Sequence, residues 1–291
     1  MNTFHTSVLL QETIDLLSVQ TGRKYIDATL GGGGHSFEIL RRGGKVLGID
    51  ADQEAIDFVK DEFKNEKDEF VIVKGNFRDI DGIAREHGFE NIAGILFDLG
   101  VSSHQFDDPG RGFSFQREGP LDMRMDRELK VKAADLINIL TKGELHALFT
   151  KLGEERFANT IINSIIRARR VSPIKTTVEL SKIINKVVPA RKATINPATR
   201  IFQALRIAVN DELNNLKETL PKAVALLGKK GRIAVISFHS LEDRIVKNQF
   251  REWEGSGMGR VITQKPVIPS PSEIEKNKRS RSAKLRVFEK N

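Results

Sequence analysis

Short apolar runs alternate with amphipathic segments along the first third of the chain. Four runs are bounded by glycine or polar residues and predict strands at 25–30, 45–50, 69–73 and 92–98. Between the second and third runs, apolar residues recur at spacings of three and four over residues 53–63, which predicts a helix that covers the sheet. Strands that alternate with helices indicate an α/β protein with a parallel sheet.

The alternation stops near residue 133, and apolar residues then recur at helical spacing as far as residue 220. Apolar runs return at 231–238 and 283–288, which predict two further strands. We therefore expect a core of about 200 residues that is interrupted by an inserted helical domain. The predicted bounds are 1–127 for the first part of the core, 128–200 for the insertion and 201–291 for the second part.

The first predicted strand runs into four consecutive glycines, Gly31 to Gly34, where the backbone can approach a ligand closely. The second ends in Asp50, the position at which doubly wound sheets hold an acid that binds ribose hydroxyls. A plain strand-to-helix turn would explain the glycines alone, but the acid at this distance favours a nucleoside-like cofactor. Ser36 replaces the third glycine of the dinucleotide fingerprint, which favours S-adenosylmethionine because that cofactor has no pyrophosphate.

Two more candidate site residues follow predicted strands. Asp98 ends the fourth strand, at the edge where open α/β sheets hold the reacting parts of their ligands. Its alternative role is a helix cap, but an acid at the end of an apolar run needs a partner. Phe77 lies just after the third strand, where its ring suits either an adenine or the core.

The positive charge of the chain is concentrated in one segment. The formal net charge is +8, and residues 151–206 alone hold twelve Lys or Arg against three acids. Such a concentration favours a polyanionic partner over a solvated face. Arg167, Arg169 and Arg170 are the candidate contacts to such a partner within this segment.

A glycine-rich loop that begins at Arg111 mixes arginines with aromatic residues. This composition is typical of loops that bind phosphates and stack on a base, so Arg111, Phe113 and Phe115 are further candidate contacts to a nucleic acid. A packed linker between domains is the alternative, and the composition does not decide between the two.

Composition also excludes several classes of chemistry. The chain has no cysteine, which excludes a thiol nucleophile, disulfides and thiolate metal sites, and we expect no metal centre. Neither a long apolar run nor a charged leader with an apolar stretch is present, so we expect no membrane span, no export and a cytoplasmic location. His239 and Ser240 do not predict a Ser-His-acid triad, because neighbouring residues on a strand point to different faces and no Gly-x-Ser-x-Gly elbow occurs.

Eight ordered blocks cover nearly the whole chain. They are TSVLL (6–10), YID (25–27) with GGHS (33–36), LGVSS (99–103), RGFSF (111–115), GPLDMRM (119–125), GEERFA (153–158), PATRIFQA (197–204) and SFHSLEDR (237–244). Together they resemble the signature segments of the bacterial 16S ribosomal RNA cytosine-N4 methyltransferases, the MraW or RsmH family. Eight blocks in order are far more specific than any one of them.

The resemblance implies a Rossmann-like class I S-adenosylmethionine-dependent methyltransferase sheet, with a helical insertion that recognises substrate. It implies N4-methylation of a cytidine in 16S rRNA, in the decoding region of the small ribosomal subunit. It also implies the cofactor-binding residues Gly33, Gly34, His35, Asp50, Phe77, Asp98 and Gln105. Asp98 is in addition our candidate catalytic acceptor for the N4 amine.

One departure leaves the base-holding residues unassigned. Many amino-methyltransferases carry an Asp/Asn/Ser-Pro-Pro-Tyr/Phe signature after the fourth strand, and this chain has Asp98-Leu99-Gly100-Val101 instead. Two other functions stay open from the residues alone: a nicotinamide dehydrogenase, and a non-catalytic RNA-binding factor that keeps the fold. The oligomeric state is also open, with a homodimer among the alternatives.

Overall fold

The computed structural model describes residues 7–64, 69–188 and 196–291. Thr6 of the first signature block and residues 189–195 of the predicted insertion lie outside the described residues. The chain divides into two compact units. The first unit consists of Met1–Ser102 and Leu213–Asn291, and the second of Ser103–Glu212.

The first unit is built on a seven-stranded sheet. Its strands are β1 (Lys24–Asp27), β2 (Lys45–Asp50), β3 (Phe70–Lys74), β4 (Ile92–Asp98), β5 (Leu227–Ser237), β6 (Gly259–Val261) and β7 (Lys284–Lys290). The order in the sheet is β3-β2-β1-β4-β5-β7-β6, with β3 to β5 parallel and β7 antiparallel to both of its neighbours. This is the arrangement of the Rossmann-like class I methyltransferase sheet, so the predicted fold class is confirmed.

Thirteen α-helices lie in the described part of the chain. They are α1 (Leu10–Leu17), α2 (Gly34–Arg41), α3 (Gln53–Glu62), α4 (Ile80–Glu86), α5 (Ser103–Asp107), α6 (Ala133–Ile139), α7 (Lys142–Lys151), α8 (Ala158–Val171), α9 (Thr177–Val187), α10 (Pro197–Asn210), α11 (Glu212–Leu226), α12 (Ser240–Gly255) and α13 (Pro271–Lys276). None of these helices is long and apolar enough to cross a membrane.

Apolar side chains cover both faces of the sheet, because successive residues of a strand point to opposite sides. Tyr25 of β1 and Leu96 of β4 pack with α1, α2 and α3, whereas Ile26 and Phe97 pack with α4, α11 and α12 on the other face. The central strands β1, β2 and β4 are therefore almost fully buried on both sides, whereas the outer strands β3 and β6 are mostly half-buried. This places the candidate chemistry at the edges of the sheet.

The second unit is wider than the predicted insertion at both ends. At its start, the loop before α6 is tied to later helices: the Leu121 N–H donates to the Lys175 carbonyl at 2.9 Å, and the Met125 N–H donates to Asn210 Oδ1 at 2.7 Å. At its end, α10 packs against α6, α7 and α9. Because residues 103–127 lack any apolar period, their pattern does not indicate that they belong with the helices.

Candidate cofactor site

Three parallel strands end in aspartate at the same edge of the sheet: β1 in Asp27, β2 in Asp50 and β4 in Asp98. The glycine loop that follows β1 runs along this edge. Its first residues are held to the neighbouring strands, because the Ala28 N–H donates to the Leu96 carbonyl and the Leu30 N–H donates to the Ile49 carbonyl, both at 2.9 Å. The loop is thus placed across the ends of β2 and β4, as a cofactor site in an open α/β sheet requires.

Asp50 connects the loops that follow three different strands. Its Oδ2 accepts from the Gly31 N–H at 2.7 Å and its Oδ1 accepts from the Asp52 N–H at 2.8 Å. Its backbone carbonyl accepts from the Gly75 N–H, also at 2.8 Å, after β3. Burial raises the pKa of Asp50 to about 6, against the opposing effect of these backbone donors. Each carboxylate oxygen can accept a second hydrogen bond, so the group keeps acceptor capacity for hydroxyl donors of a ligand.

The glycines of the loop differ in what surrounds them. Gly33 is the N-cap residue of α2 and has a φ of 76°. A Cβ at this position would lie 3.2 Å from Val59 of α3 and 3.1 Å from Phe63, which follows α3. A Cβ at Gly34 would collide with the Ser7 hydroxyl. Gly31 has a φ of 50° and a Cβ there would find only the Thr29 carbonyl, at 3.9 Å. The positive φ and the close side chains therefore disfavour a side chain at Gly33, and one at Gly34 would displace the Ser7 hydroxyl, while Gly31 borders open space.

His35 joins the N-terminal segment to the end of β4. Its Nε2 lies 3.2 Å from the Val8 carbonyl oxygen, and its Nδ1 lies 3.7 Å from Asp98 Oδ2. Because a carbonyl oxygen only accepts, Nε2 must carry the proton. The Asp98 backbone is fixed separately, since its N–H donates to Thr29 Oγ1 at 2.6 Å. Two of the predicted cofactor residues are thus brought together at this edge, His35 buried and Asp98 partly buried.

Sequence reasoning assigned no role to Asp27 and Ser36, which form the buried centre of the loop. Asp27 is 1% exposed, and the Ser36 hydroxyl donates to its Oδ2 at 2.7 Å. The Thr29 N–H approaches the other carboxylate oxygen at 3.3 Å. This explains the departure from the dinucleotide fingerprint: the serine in place of the third glycine supplies a hydroxyl that a buried carboxylate needs. An acid inside an apolar run was the signal that could have found the pair.

Phe77 lies in a short 3-10 turn directly after β3. The edge of its ring packs on Phe97 with centroids 5.8 Å apart and planes 88° apart, and the side chain is only partly buried. It can therefore offer part of a ring face to a ligand while it stays attached to the core. Gln105 lies in α5 of the second unit, where it is buried. Its role in cofactor binding stays a prediction.

The predicted RNA-binding loop is held from within by Arg111. This side chain is 2% exposed, and its Nη2 donates to the carbonyls of Arg124 and Met125 at 3.1 and 2.8 Å. Phe113 is also buried, and the guanidinium lies 5.9 Å from its ring centroid. Phe115 stays partly exposed, with its ring edge-on to Phe202 at 5.0 Å. The structure thus gives Arg111 and Phe113 an organising role in the loop, because neither side chain is at the surface.

The three candidate arginines of α8 also differ from one another. Arg169 donates to the carbonyls of Ile137 and Leu140 at 2.6 and 2.7 Å, so it caps the carboxyl end of α6. Arg167 and Arg170 are exposed. Only these two are therefore placed to meet a polyanion without breaking contacts inside the unit.

His239 caps α12, and the expectation that it forms no catalytic triad agrees with its contacts. Its Nδ1 accepts from the Glu242 N–H at 3.4 Å, while the Glu242 carboxylate accepts from the His239 N–H at 3.3 Å. These reciprocal hydrogen bonds form a capping box. Ser240 follows as the first residue of the helix.

Residues 2–291 of the chain match a family model described as the MraW methylase family. A relative from Carboxydothermus hydrogenoformans, named ribosomal RNA small subunit methyltransferase H, is 47% identical and aligns with 98% of this chain and 97% of its own. Relatives of the same name from Halothermothrix orenii and Brevibacillus brevis are 47% and 42% identical, each over 98% of both chains. The match extends over both compact units.

Proposed function

Because the chain belongs to the MraW methylase family, we propose that it methylates the exocyclic N4 of a cytidine in the 16S rRNA of the small ribosomal subunit. The chain is a methyltransferase, and S-adenosylmethionine is its methyl donor. The observation that carries the proposal is the edge of the sheet where Asp50 ties the glycine loop to the end of β3. This edge has the acceptor, the partly exposed ring and the close backbone that a nucleoside cofactor needs.

The residues at this edge fit S-adenosylmethionine by their chemistry. The Asp50 carboxylate can accept from ribose hydroxyls, since each of its oxygens has one protein donor and room for another. Phe77 would hold the adenine by its exposed ring face. Gly31 leaves space beside the loop that a side chain would fill. We place Gly33, Gly34 and His35 in the same site on the strength of the family resemblance, which also implies a cofactor-binding role for Gln105.

When bound, S-adenosylmethionine supplies a methyl group on a positively charged sulfonium. The protein must align the target amine with that methyl group and draw on one of its N–H bonds, because the N4 lone pair of cytosine is delocalised into the ring. Asp98 is the candidate acceptor for that N–H. Its backbone N–H donates to Thr29 Oγ1, and its carboxylate lies 3.7 Å from His35 Nδ1. The same carboxylate could instead bind the cofactor, and a mutation described below separates the two roles.

We propose that the second unit recognises the RNA. Its exposed cations include Arg167 and Arg170 on α8, and Phe115 presents a partly exposed ring in the loop before α6. Exposed cations bind phosphates, and an aromatic ring can stack on a base that has left its helix. The proposed target is in the decoding region of the subunit, and the reaction takes place in the cytoplasm, where the subunits are. A homodimer is compatible with this function, and sedimentation at the assay concentration distinguishes it from a monomer.

The test is methyl transfer to a natural substrate. The protein is incubated with labelled S-adenosylmethionine and small ribosomal subunits from a strain that lacks the gene, and the labelled nucleotide is mapped. We expect one cytidine of 16S rRNA to carry the label on N4. Subunits from the parent strain are the matched control, because their site is already methylated and should take up no label. A label on another base, or none on either kind of subunit, would contradict the proposal.

A further inference from the structure

A basic pocket opens at the edge of the sheet opposite the cofactor site. We give this name to a cavity of about 280 Å³ whose charged lining is Arg23, Lys229, Lys230, Arg232, Arg260 and Glu289. Arg23 immediately precedes β1, and the two lysines lie near the start of β5. The cavity is therefore at the amino ends of these parallel strands, whereas the three aspartates of the cofactor site are at the carboxyl ends of β1, β2 and β4.

A buried carboxylate holds two guanidinium groups in this pocket. Glu289 Oε2 accepts from Arg232 Nε at 2.9 Å, and Glu289 Oε1 accepts from Arg260 Nε at 3.0 Å. Arg232 is fixed further by a hydrogen bond to the Leu16 carbonyl. Although burial alone would raise the pKa of Glu289, the Arg232 and Arg260 guanidiniums hold it below its ordinary value. The carboxylate is thus ionised, and the arginines are positioned before any ligand binds.

The charge of the pocket is not balanced by this carboxylate. Its lining has five cationic side chains and one acid, which leaves a net charge of +4. Lys230 Nζ lies 3.8 Å from Glu289 Oε1 and Arg260 Nη2 lies 2.9 Å from it, yet the two side chains are 62% and 63% exposed and reach solvent at the mouth. A concentration of cations in a concave surface attracts anions from solution.

The backbone at Lys230 adds a separate observation. Its φ is 63°, in the left-handed region that side chains other than glycine and asparagine rarely adopt. A lysine there costs roughly 1 kcal/mol relative to glycine, and strain of this kind is typical of positions where the side chain has a task. The irregular start of β5 places Lys229 and Lys230 in the lining of the basic pocket.

We propose that the basic pocket binds one backbone phosphate of the RNA substrate. The inference rests on the proposed function for the identity of the RNA. Guanidinium and ammonium groups are the side chains that bind phosphate best. The volume lies just below the roughly 300–1,000 Å³ of pockets for whole cofactors, which suits a phosphate with its ribose. A contact at this edge would anchor the RNA far from the reacting base.

The experiment compares RNA binding by three proteins. The pocket variant is Lys229→Gln with Lys230→Gln, which leaves the Arg232–Glu289–Arg260 contacts in place. The control variant, Lys60→Gln with Lys265→Gln, removes the same charge from two exposed positions outside the pocket. Binding of a fluorescein-labelled single-stranded RNA of about 16 nucleotides is followed by fluorescence anisotropy between about 50 and 200 mM salt. Thermal melting shows that each variant is folded.

We expect the pocket variant to bind the RNA about three- to tenfold more weakly at low salt. The slope of log affinity against log salt should fall by about 0.7, the value for one lost phosphate contact on a single strand. The control variant should stay within about twofold of the parent. Equal losses in the two variants would overturn the proposal, since general electrostatics would then explain both. No loss in either variant would overturn it as well.

Free inorganic phosphate has the same chemistry as a phosphate of the RNA backbone. A second measurement distinguishes these two ligands. Binding of inorganic phosphate is followed by the ³¹P line width with the parent and the pocket variant. A change there with unaltered RNA affinity would assign the pocket to a free anion and refute the RNA assignment. The labelled subunit assay is run on the parent in parallel. If the parent is inactive but its RNA binding still depends on Lys229 and Lys230, the proposed function is refuted and the pocket assignment stands. If the parent methylates the subunits but its RNA binding does not depend on these lysines, the pocket assignment is refuted and the proposed function stands.

Discussion

Asp50→Ala is expected to weaken S-adenosylmethionine binding by about 1.5–3 kcal/mol, the contribution of hydrogen bonds to a charged acceptor. This corresponds to roughly a ten- to 150-fold rise in the dissociation constant. The loss has two sources in the structure. The variant removes the acceptor for a ligand hydroxyl. It also removes the acceptor of the Gly31 N–H, which Asp50 binds at 2.7 Å, so ordering the loop reduces the free energy of cofactor binding.

The pH dependence of binding gives a sharper test of the same group. With a pKa of about 6 in the free protein, Asp50 is mostly protonated at pH 5 and loses its strength as an acceptor. Affinity in the parent should therefore fall about tenfold from pH 7.5 to pH 5, since one pH unit below the pKa leaves about a tenth of the carboxylate ionised. In Asp50→Ala this fall should disappear.

The stability of the protein without cofactor should show the opposite trend. Burial raises the pKa of Asp50 from its ordinary 3.8 to about 6, so the folded state binds this proton more tightly than the unfolded chain does. Between pH 4 and pH 6 the group therefore reduces the free energy of unfolding as the pH rises, by up to about 3 kcal/mol. Asp50→Ala removes this contribution, so the difference in stability between variant and parent should grow in favour of the variant over that range.

Calorimetric titration from pH 5 to pH 7.5 and urea unfolding from pH 4 to pH 7 are the two assays. Asp61→Ala is the matched control, because Asp61 is an exposed acid on the neighbouring α3. It should change neither the affinity nor its pH dependence. An Asp50→Ala protein that is folded and binds S-adenosylmethionine as tightly as the parent would show that the acid at the end of β2 only supports the loop. Parent affinity that is flat from pH 7.5 to pH 5 would refute the assigned protonation.

Three further mutations test the site and the RNA surface. Ser36→Ala removes the hydroxyl donor to Asp27 and should lower the unfolding free energy by about 1–3 kcal/mol, measured by urea unfolding, because a buried carboxylate loses a partner; unchanged stability would contradict this role. Arg167→Glu with Arg170→Glu should weaken RNA binding and flatten its salt dependence without affecting cofactor affinity, and equal RNA binding at low and moderate salt would exclude α8 from the RNA surface. Asp98→Asn should raise the dissociation constant of S-adenosylmethionine if Asp98 binds the cofactor, or lower the single-turnover methylation rate roughly a hundredfold if it accepts from the amine; normal values of both would remove it from the site.

The strands were predictable because their signals are local. Asp50 and Asp98 are the last residues of β2 and β4 as predicted, whereas β1 ends at Asp27, three residues before the predicted end at residue 30. The covering helix was predicted over residues 53–63 and α3 ends one residue earlier, with Phe63 turned onto Gly33. The prediction missed β6, because a three-residue strand in a glycine-rich segment has no pattern of its own.

Contacts between distant parts of the chain could not be predicted. An arginine in a glycine-rich loop has the composition of a phosphate ligand, and nothing near Arg111 in sequence shows that the carbonyls of Arg124 and Met125 will surround it. The same limit applies to Arg169, whose partners are more than 25 residues away. A charge count identifies a basic segment, but it does not separate cations that organise the protein from those that meet solvent.

The negative charge at the carboxyl ends of the strands distinguishes S-adenosylmethionine from a nicotinamide dinucleotide more clearly than the glycine loop does. Asp27, Asp50 and Asp98 end three parallel strands there. The Asp27 and Asp50 carboxylates accept from O–H and N–H donors of the protein, and the Asp98 backbone N–H donates to Thr29 Oγ1. S-adenosylmethionine has a positive sulfonium and a positive amino group, whereas a nicotinamide dinucleotide has a negatively charged pyrophosphate. Carboxylates gathered at one edge attract the first and repel the second. Burying these carboxylates without a ligand is unfavourable, and the same carboxylates favour a cationic ligand.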